Sequence, residues 1–107
     1  MSYTAPVKEM LFVMQDIADI EKVASIPGFE DYGYDTAAAV LDESAKFCNE
    51  VIAPLNWDGD VKPSSWKDGE VTTTPGFKEA FKQFAEGGWQ GVIHPGEYGG
   101  QGFPKVI

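Results

Sequence analysis

The residues best able to do chemistry are few. They are one histidine, His94, one cysteine, Cys48, a polar cluster at Asn56, Asp58 and Asp60, and a run over residues 87–104 that holds more than half of the chain's twelve glycines. Glycine-rich runs can cradle phosphate, but the phosphate-loop pattern ends in Gly-Lys-Ser/Thr and no glycine here precedes a lysine. The dinucleotide fingerprint starts at Gly100-Gln101-Gly102 and fails where Lys105 stands in the third glycine's place. Counted as a calcium loop from Asn56, the positions that need Gly and Glu hold Val61 and Lys67, so these side chains read as a solvated turn. One His and one Cys with scattered carboxylates give no metal-ligand spacing. A Cys–His nucleophile pair would need a third group to orient it, and the sequence offers none. Cys48 reads as a small buried residue and His94 as part of a loop. No residue is assigned a catalytic, cofactor-binding or metal-binding role on these grounds.

These positions depend on helices. Val7, Met10, Leu11, Met14 and Ile17 recur at helical spacing and predict a helix over residues 7–20, which Phe12 and Val13 make apolar on more than one face. Residues 25–34 read as a connection broken by Pro27, Gly28 and Gly33. Asp35 is the expected N-cap of a second helix over residues 36–53, ended by Pro54, with Ala38, Leu41, Ala45, Cys48, Ile52 and Leu55 on one face. Residues 56–73 are polar and turn-rich, and Asp68-Gly69 signals a tight hairpin between two short extended pieces. Thr74-Pro75 predicts the start of a third helix whose stripe Phe77, Phe81 and Phe84 should be core, closed by a left-handed cap at Gly87-Gly88. Trp89 can fold back on that cap. The fold class is therefore all-α, a small helical bundle with a long Gly-rich C-terminal loop. So many glycines exclude a helix interior and suit a fixed loop that closely approaches another group.

Composition narrows the function. Seventeen acidic residues against eight basic ones give a net charge of −9, which argues against nucleic acid and against an anionic membrane surface. With 43% hydrophobic residues over 107 positions a single small core is possible. A lone cysteine precludes an internal disulfide and suits a reducing compartment. No apolar run approaches a membrane span, and Met1-Ser2-Tyr3-Thr4-Ala5-Pro6 lacks the character of a secretory signal, so a cytoplasmic location is expected.

Three stretches together resemble the start of an acyl-CoA dehydrogenase. The first is the arm Tyr3-Thr4-Ala5-Pro6 with the helix to Met14, similar to the N-terminal extension of the larger bacterial members. That subfamily includes enzymes acting on 3-methylthiopropanoyl-CoA. The second runs from Val40 through Phe47-Cys48-Asn49-Glu50-Val51-Ile52-Ala53-Pro54-Leu55 to Asn56. The third runs from Pro75-Gly76-Phe77 through Gly88-Trp89 to Pro95-Gly96-Glu97-Tyr98-Gly99-Gly100-Gln101-Gly102, where Tyr98-Gly99-Gly100-x-Gly102 is the most specific piece. Gly96 departs from the acidic residue more usual there. The resemblance covers nearly the whole chain.

It implies an N-terminal extension over residues 1–34 and a truncated N-terminal helical domain over residues 35–107. It also implies an FAD enzyme that converts an acyl-CoA to a trans-2-enoyl-CoA, with an electron-transfer acceptor and a homo-oligomeric assembly. The catalytic glutamate and the flavin residues of the family have no matching positions here, and Glu97 is not one of them. Tyr98, Gly99 and Gly100 are implied as a wall of the substrate cleft. The fragment alone is expected to be inactive, with the apolar faces of its first and third helices unpartnered and prone to self-association. The rival reading is a stand-alone helical protein-interaction module.

Overall fold

A computed structural model of the chain describes residues 2–107. The chain is mostly helical, with one two-stranded sheet, and is compatible with a small helical bundle. Helix α1, Val7–Phe12, runs on into a π-helical turn, Val13–Ile17, closed by the Ala18 amide on the Val13 carbonyl at 2.9 Å. Asp19 then adopts a left-handed φ of 52° and its carboxylate accepts the Lys22 amide at 3.3 Å, capping a second short helix α2, Ile20–Ala24. The helix expected over residues 7–20 thus ends at Ile17. Aspartate tolerates the left-handed region and competes for backbone donors, so it breaks an apolar period that would otherwise continue.

Helix α3, Tyr34–Phe47, passes through a π-helical turn, Cys48–Ile52, directly into α4, Ala53–Val61. Two expectations are corrected here. Asp35 lies in the first turn, where its charge suits the helix dipole. Gly33 takes the N-cap position, and Glu21 of α2 accepts the Tyr34 amide at 2.9 Å. Pro54 is no stop either: it sits in the first turn of α4, where its missing N–H costs least. The π-helical turn just before it loosens the α-helical ladder that its ring would disrupt.

The hairpin forms as the Asp-Gly pair predicts. Strands β1, Ser65–Lys67, and β2, Glu70–Thr72, pair antiparallel with Trp66 opposite Val71. Asp68 and Gly69 both have positive φ, 53° and 84°, as a two-residue mirror-image turn requires. Helix α5, Phe77–Glu86, starts later than Thr74-Pro75 suggested, with Gly76 at its N-cap in the left-handed region. Thr74 instead is buried, and its hydroxyl donates to the Lys62 carbonyl at 2.8 Å, tying the hairpin's base to the end of α4. The C-cap of α5 is Gly87 in right-handed geometry, and the left-handed residue comes just after it at Gly88, with φ of 73°.

The main core is small. Met14, Ile20, Ala37 and Leu41 are buried between α1, α2 and α3, and Val7, Leu11, Tyr34, Val106 and Ile107 pack around them. Residues 1–34 and 35–107 therefore share one core. The α5 stripe is not core: Phe81 is 65% exposed and Phe77 39%, while Phe84 alone is half-buried, its ring 6.3 Å from that of Phe47. Phe12, Val13 and Ile17 are exposed as well. The molecule measures 55 × 37 × 17 Å with a radius of gyration of 17.2 Å. A compact domain of this length would have one of about 13 Å.

Candidate functional site

Residues 87–104 fold on themselves. Two 3₁₀ turns, Trp89–Gly91 and Gly96–Tyr98, are closed by a ladder of amides. Gln101 donates to the Gly91 carbonyl at 3.0 Å, Gly102 to His94 at 2.9 Å and Phe103 to Val92 at 2.9 Å. The Gly100 amide reaches the Pro95 carbonyl at 3.1 Å. A Cβ on Gly100 would run into the His94 carbonyl, so this position needs glycine for close approach. The loop is folded and closely approached, and the group that Gly100 approaches is the loop's own backbone.

Tyr98, Gly99 and Gly100 come together on one open recess of about 610 Å³, shared with His94, Pro95 and Gly91. Tyr98 is 81% exposed at its rim. The amides of all three are already bonded to the carbonyls of Pro95 and Gly96. This stretch can therefore offer shape, a phenol ring and a hydroxyl, but no nest of free donors for an anion.

The other sequence candidates do not join it. His94 lines the recess, whereas Cys48 faces an apolar cavity of about 370 Å³ lined among others by Leu41, Phe47, Phe84, Trp89 and Phe103. A second apolar cavity of about 310 Å³ lies between α4 and α5, along the Phe77, Phe81 and Phe84 stripe. Both are open grooves on the side where apolar side chains lack a partner, and neither carries a polar constellation that could do chemistry. Asn56, Asp58 and Asp60 lie on α4 and not in a turn. Among the described residues no group of three or more His, Cys, Asp or Glu side chains is placed to hold a metal ion. No described helix is long and apolar enough to cross a membrane.

Two side-chain contacts that sequence reasoning missed join distant segments, and one of them reaches the loop that carries the recess. The Tyr32 hydroxyl donates to the Gln101 carbonyl at 2.8 Å, and its ring lies 5.0 Å from that of Phe103. Asn49 accepts the Ala5 amide at 3.0 Å, holding the arm to the π-helical turn. Neither contact has a local signal, since each joins residues tens of positions apart.

No family model matches the chain. Its curated homologues are acyl-CoA dehydrogenases, which are oxidoreductases, and it matches a fragment of each. Over all 107 residues it is 37% identical to 3-methylmercaptopropionyl-CoA dehydrogenase of Ruegeria pomeroyi, of which it spans 18% of the length. It is 29% identical over 91 residues, 81% of the chain, to a butyryl-CoA dehydrogenase of Syntrophomonas wolfei, spanning 15% of that protein. A broad-specificity linear acyl-CoA dehydrogenase of Mycobacterium tuberculosis is 25% identical over 98% of the chain, which spans 18% of it. The chain thus spans less than a fifth of the length of the curated relatives it matches.

The residues present do not by themselves fit FAD. The recess lining contains no lysine or arginine to balance a pyrophosphate, and the amides of Gly91, His94, Tyr98, Gly99 and Gly100 are already paired. No step of a flavin reaction can be derived through this chain's own side chains.

Proposed function

We propose that the chain is the N-terminal helical segment of an FAD-dependent acyl-CoA dehydrogenase, with residues 1–34 as an extension and residues 35–107 as part of the first helical domain. The whole protein oxidises an acyl-CoA to a trans-2-enoyl-CoA in the cytoplasm, as a homo-oligomer that passes electrons to a separate acceptor. A bound flavin would supply the hydride acceptor for that oxidation, and no residue of this chain is assigned to the proton or hydride transfer. The observation that carries the proposal is the match at 37% identity along the full length of the chain. The exposed apolar stripes of α1 and α5 support it, because contiguous apolar surface of this kind marks an interface.

Within that protein, Tyr98, Gly99 and Gly100 form a wall of the acyl-CoA cleft. The wall acts by shape, since its amides are taken, and Tyr98 supplies the polar atom at the rim. The substrate class is an acyl thioester of coenzyme A, with short sulfur-containing and straight saturated chains both within it. The test is anaerobic addition of butyryl-CoA and 3-methylthiopropanoyl-CoA to the full-length protein. Bleaching of the flavin absorbance by either supports the proposal. A full-length protein whose flavin neither thioester nor longer acyl-CoAs bleach would overturn it, and would favour the interaction-module reading that the broad apolar surface also suits.

A further inference from the structure

The geometry points to Tyr32 as a positioning residue, through which the N-terminal extension clamps the Gly-rich loop and so fixes the wall formed by residues 98–100. The inference rests on the reading of that loop as a cleft wall.

Tyr32 stands on a braced mount. In the connection between α2 and α3, the Phe29 amide donates to the Ile26 carbonyl at 3.0 Å and the Tyr32 amide to the Phe29 carbonyl at 3.0 Å. Glu30 accepts the Gly28 amide at 2.8 Å, and the Thr36 hydroxyl donates to the Asp31 carbonyl at 2.7 Å. A segment that is only a linker has no need of successive closed turns and two side-chain braces. From this mount Tyr32 reaches across 69 positions to the Gln101 carbonyl, its ring between Phe29 at 6.4 Å and Phe103 at 5.0 Å.

Gln101 is where the loop can be held. Its amide already donates to Gly91, so with the Tyr32 bond both backbone groups of this residue are engaged, one from inside the loop and one from the extension. Gly102, in the left-handed region, brings the backbone up to the hydroxyl: a Cβ there would stand 3.7 Å from it. Gly100, the residue before Gln101, lines the recess. A shift at Gln101 is therefore passed directly to Gly100 and, through the Pro95 carbonyl they share, to Tyr98. Without the clamp, the hydrogen bonds recorded for residues 91–103 all come from within the loop, in a segment rich in glycine and so inclined to open.

The test uses the full-length protein and two variants, Tyr32→Phe, which removes the hydroxyl and keeps the tilted ring contacts, and Tyr32→Ala, which removes both. Hydrogen exchange at the amides of Gly100, Gln101, Gly102 and Phe103 should quicken about fivefold in Tyr32→Phe, with α3 amides unchanged. The KM for the acyl-CoA should rise about two- to fivefold with kcat unchanged, and both effects should be larger in Tyr32→Ala. Unchanged exchange in both variants overturns the clamp, whatever the activity does. Faster exchange with an unchanged KM overturns the positioning role and leaves a purely structural contact. If the wild-type protein oxidises no acyl-CoA, the cleft reading fails on its own, and the exchange rates still decide whether Tyr32 holds the loop.

Discussion

Gly100 and Gly96 are four positions apart in one loop and should respond oppositely to the same change. A Cβ at Gly100 meets the His94 carbonyl, whereas one at Gly96 meets nothing within 4 Å. Gly100→Ala should therefore cost about 1–3 kcal/mol or unfold the loop, by overpacking against backbone that cannot yield. Gly96→Ala should stay within about 0.5 kcal/mol. Denaturant midpoints of the two variants check this. Ile20, 0% exposed at the centre of the small core, should cost about 2–5 kcal/mol when replaced by alanine. Phe81, 65% exposed, should cost far less in the isolated chain despite being larger. The Lys46–Glu43 ion pair is a contrast at the surface. The Glu43 hydrogen bond raises the Lys46 ammonium above its usual 10.5, so any stability it lends is fully present below that pH and fades only as pH rises through the raised value. Both side chains are well exposed, and Glu43→Gln should leave the denaturation midpoint at pH 7 indistinguishable from that of the parent.

At the scale of elements, the sequence was readable wherever one local force dominated. The Asp68-Gly69 turn follows from φ alone. The apolar period placed Leu41 inward on α3 but missed Ala37, which is 0% exposed, and put Ile52 on the inner face although it is 43% exposed. Misreadings arose where a tertiary partner supplied what local rules assign to a neighbour. Glu21 caps α3 from another helix, so Asp35 was not needed as its cap. Thr74 spends its hydroxyl on Lys62 and leaves the start of α5 to Gly76. Pro54 looked like a terminator because the π-helical turn that accommodates it has no compositional signature. A direct consequence follows for Pro54→Ala. If the proline ended a helix, its removal would add helical residues. Because α4 already continues to Val61, far-UV circular dichroism of the variant should match that of the parent. For the candidate site, the tight folding of the loop around Tyr98, Gly99 and Gly100 was legible from glycine density. The hold exerted by Tyr32 was not, since a hydroxyl–carbonyl bond across 69 positions leaves no periodic trace.

Taken whole, the molecule is a thin slab with more surface than its mass calls for. Its accessible surface is 7893 Å². A compact monomer of 11.7 kDa would expose about 5,900 Å², so roughly 2,000 Å² is in excess, an amount on the scale of a specific protein interface. The excess is apolar where it matters, along Phe12, Val13 and Ile17 on one side and Phe77 and Phe81 on another. Covering surface of that kind is favourable in water. The isolated chain should accordingly self-associate, and Phe81→Ser should weaken that association; sedimentation velocity showing a clean monomer of the parent at high concentration would contradict this. The central proposal is that the chain belongs to a larger flavoenzyme and holds no complete active site of its own. Its most direct test is the visible spectrum of the purified 107-residue chain beside that of the full-length protein. The account predicts a colourless short chain and a yellow long one, and a short chain that purifies with stoichiometric flavin would contradict it.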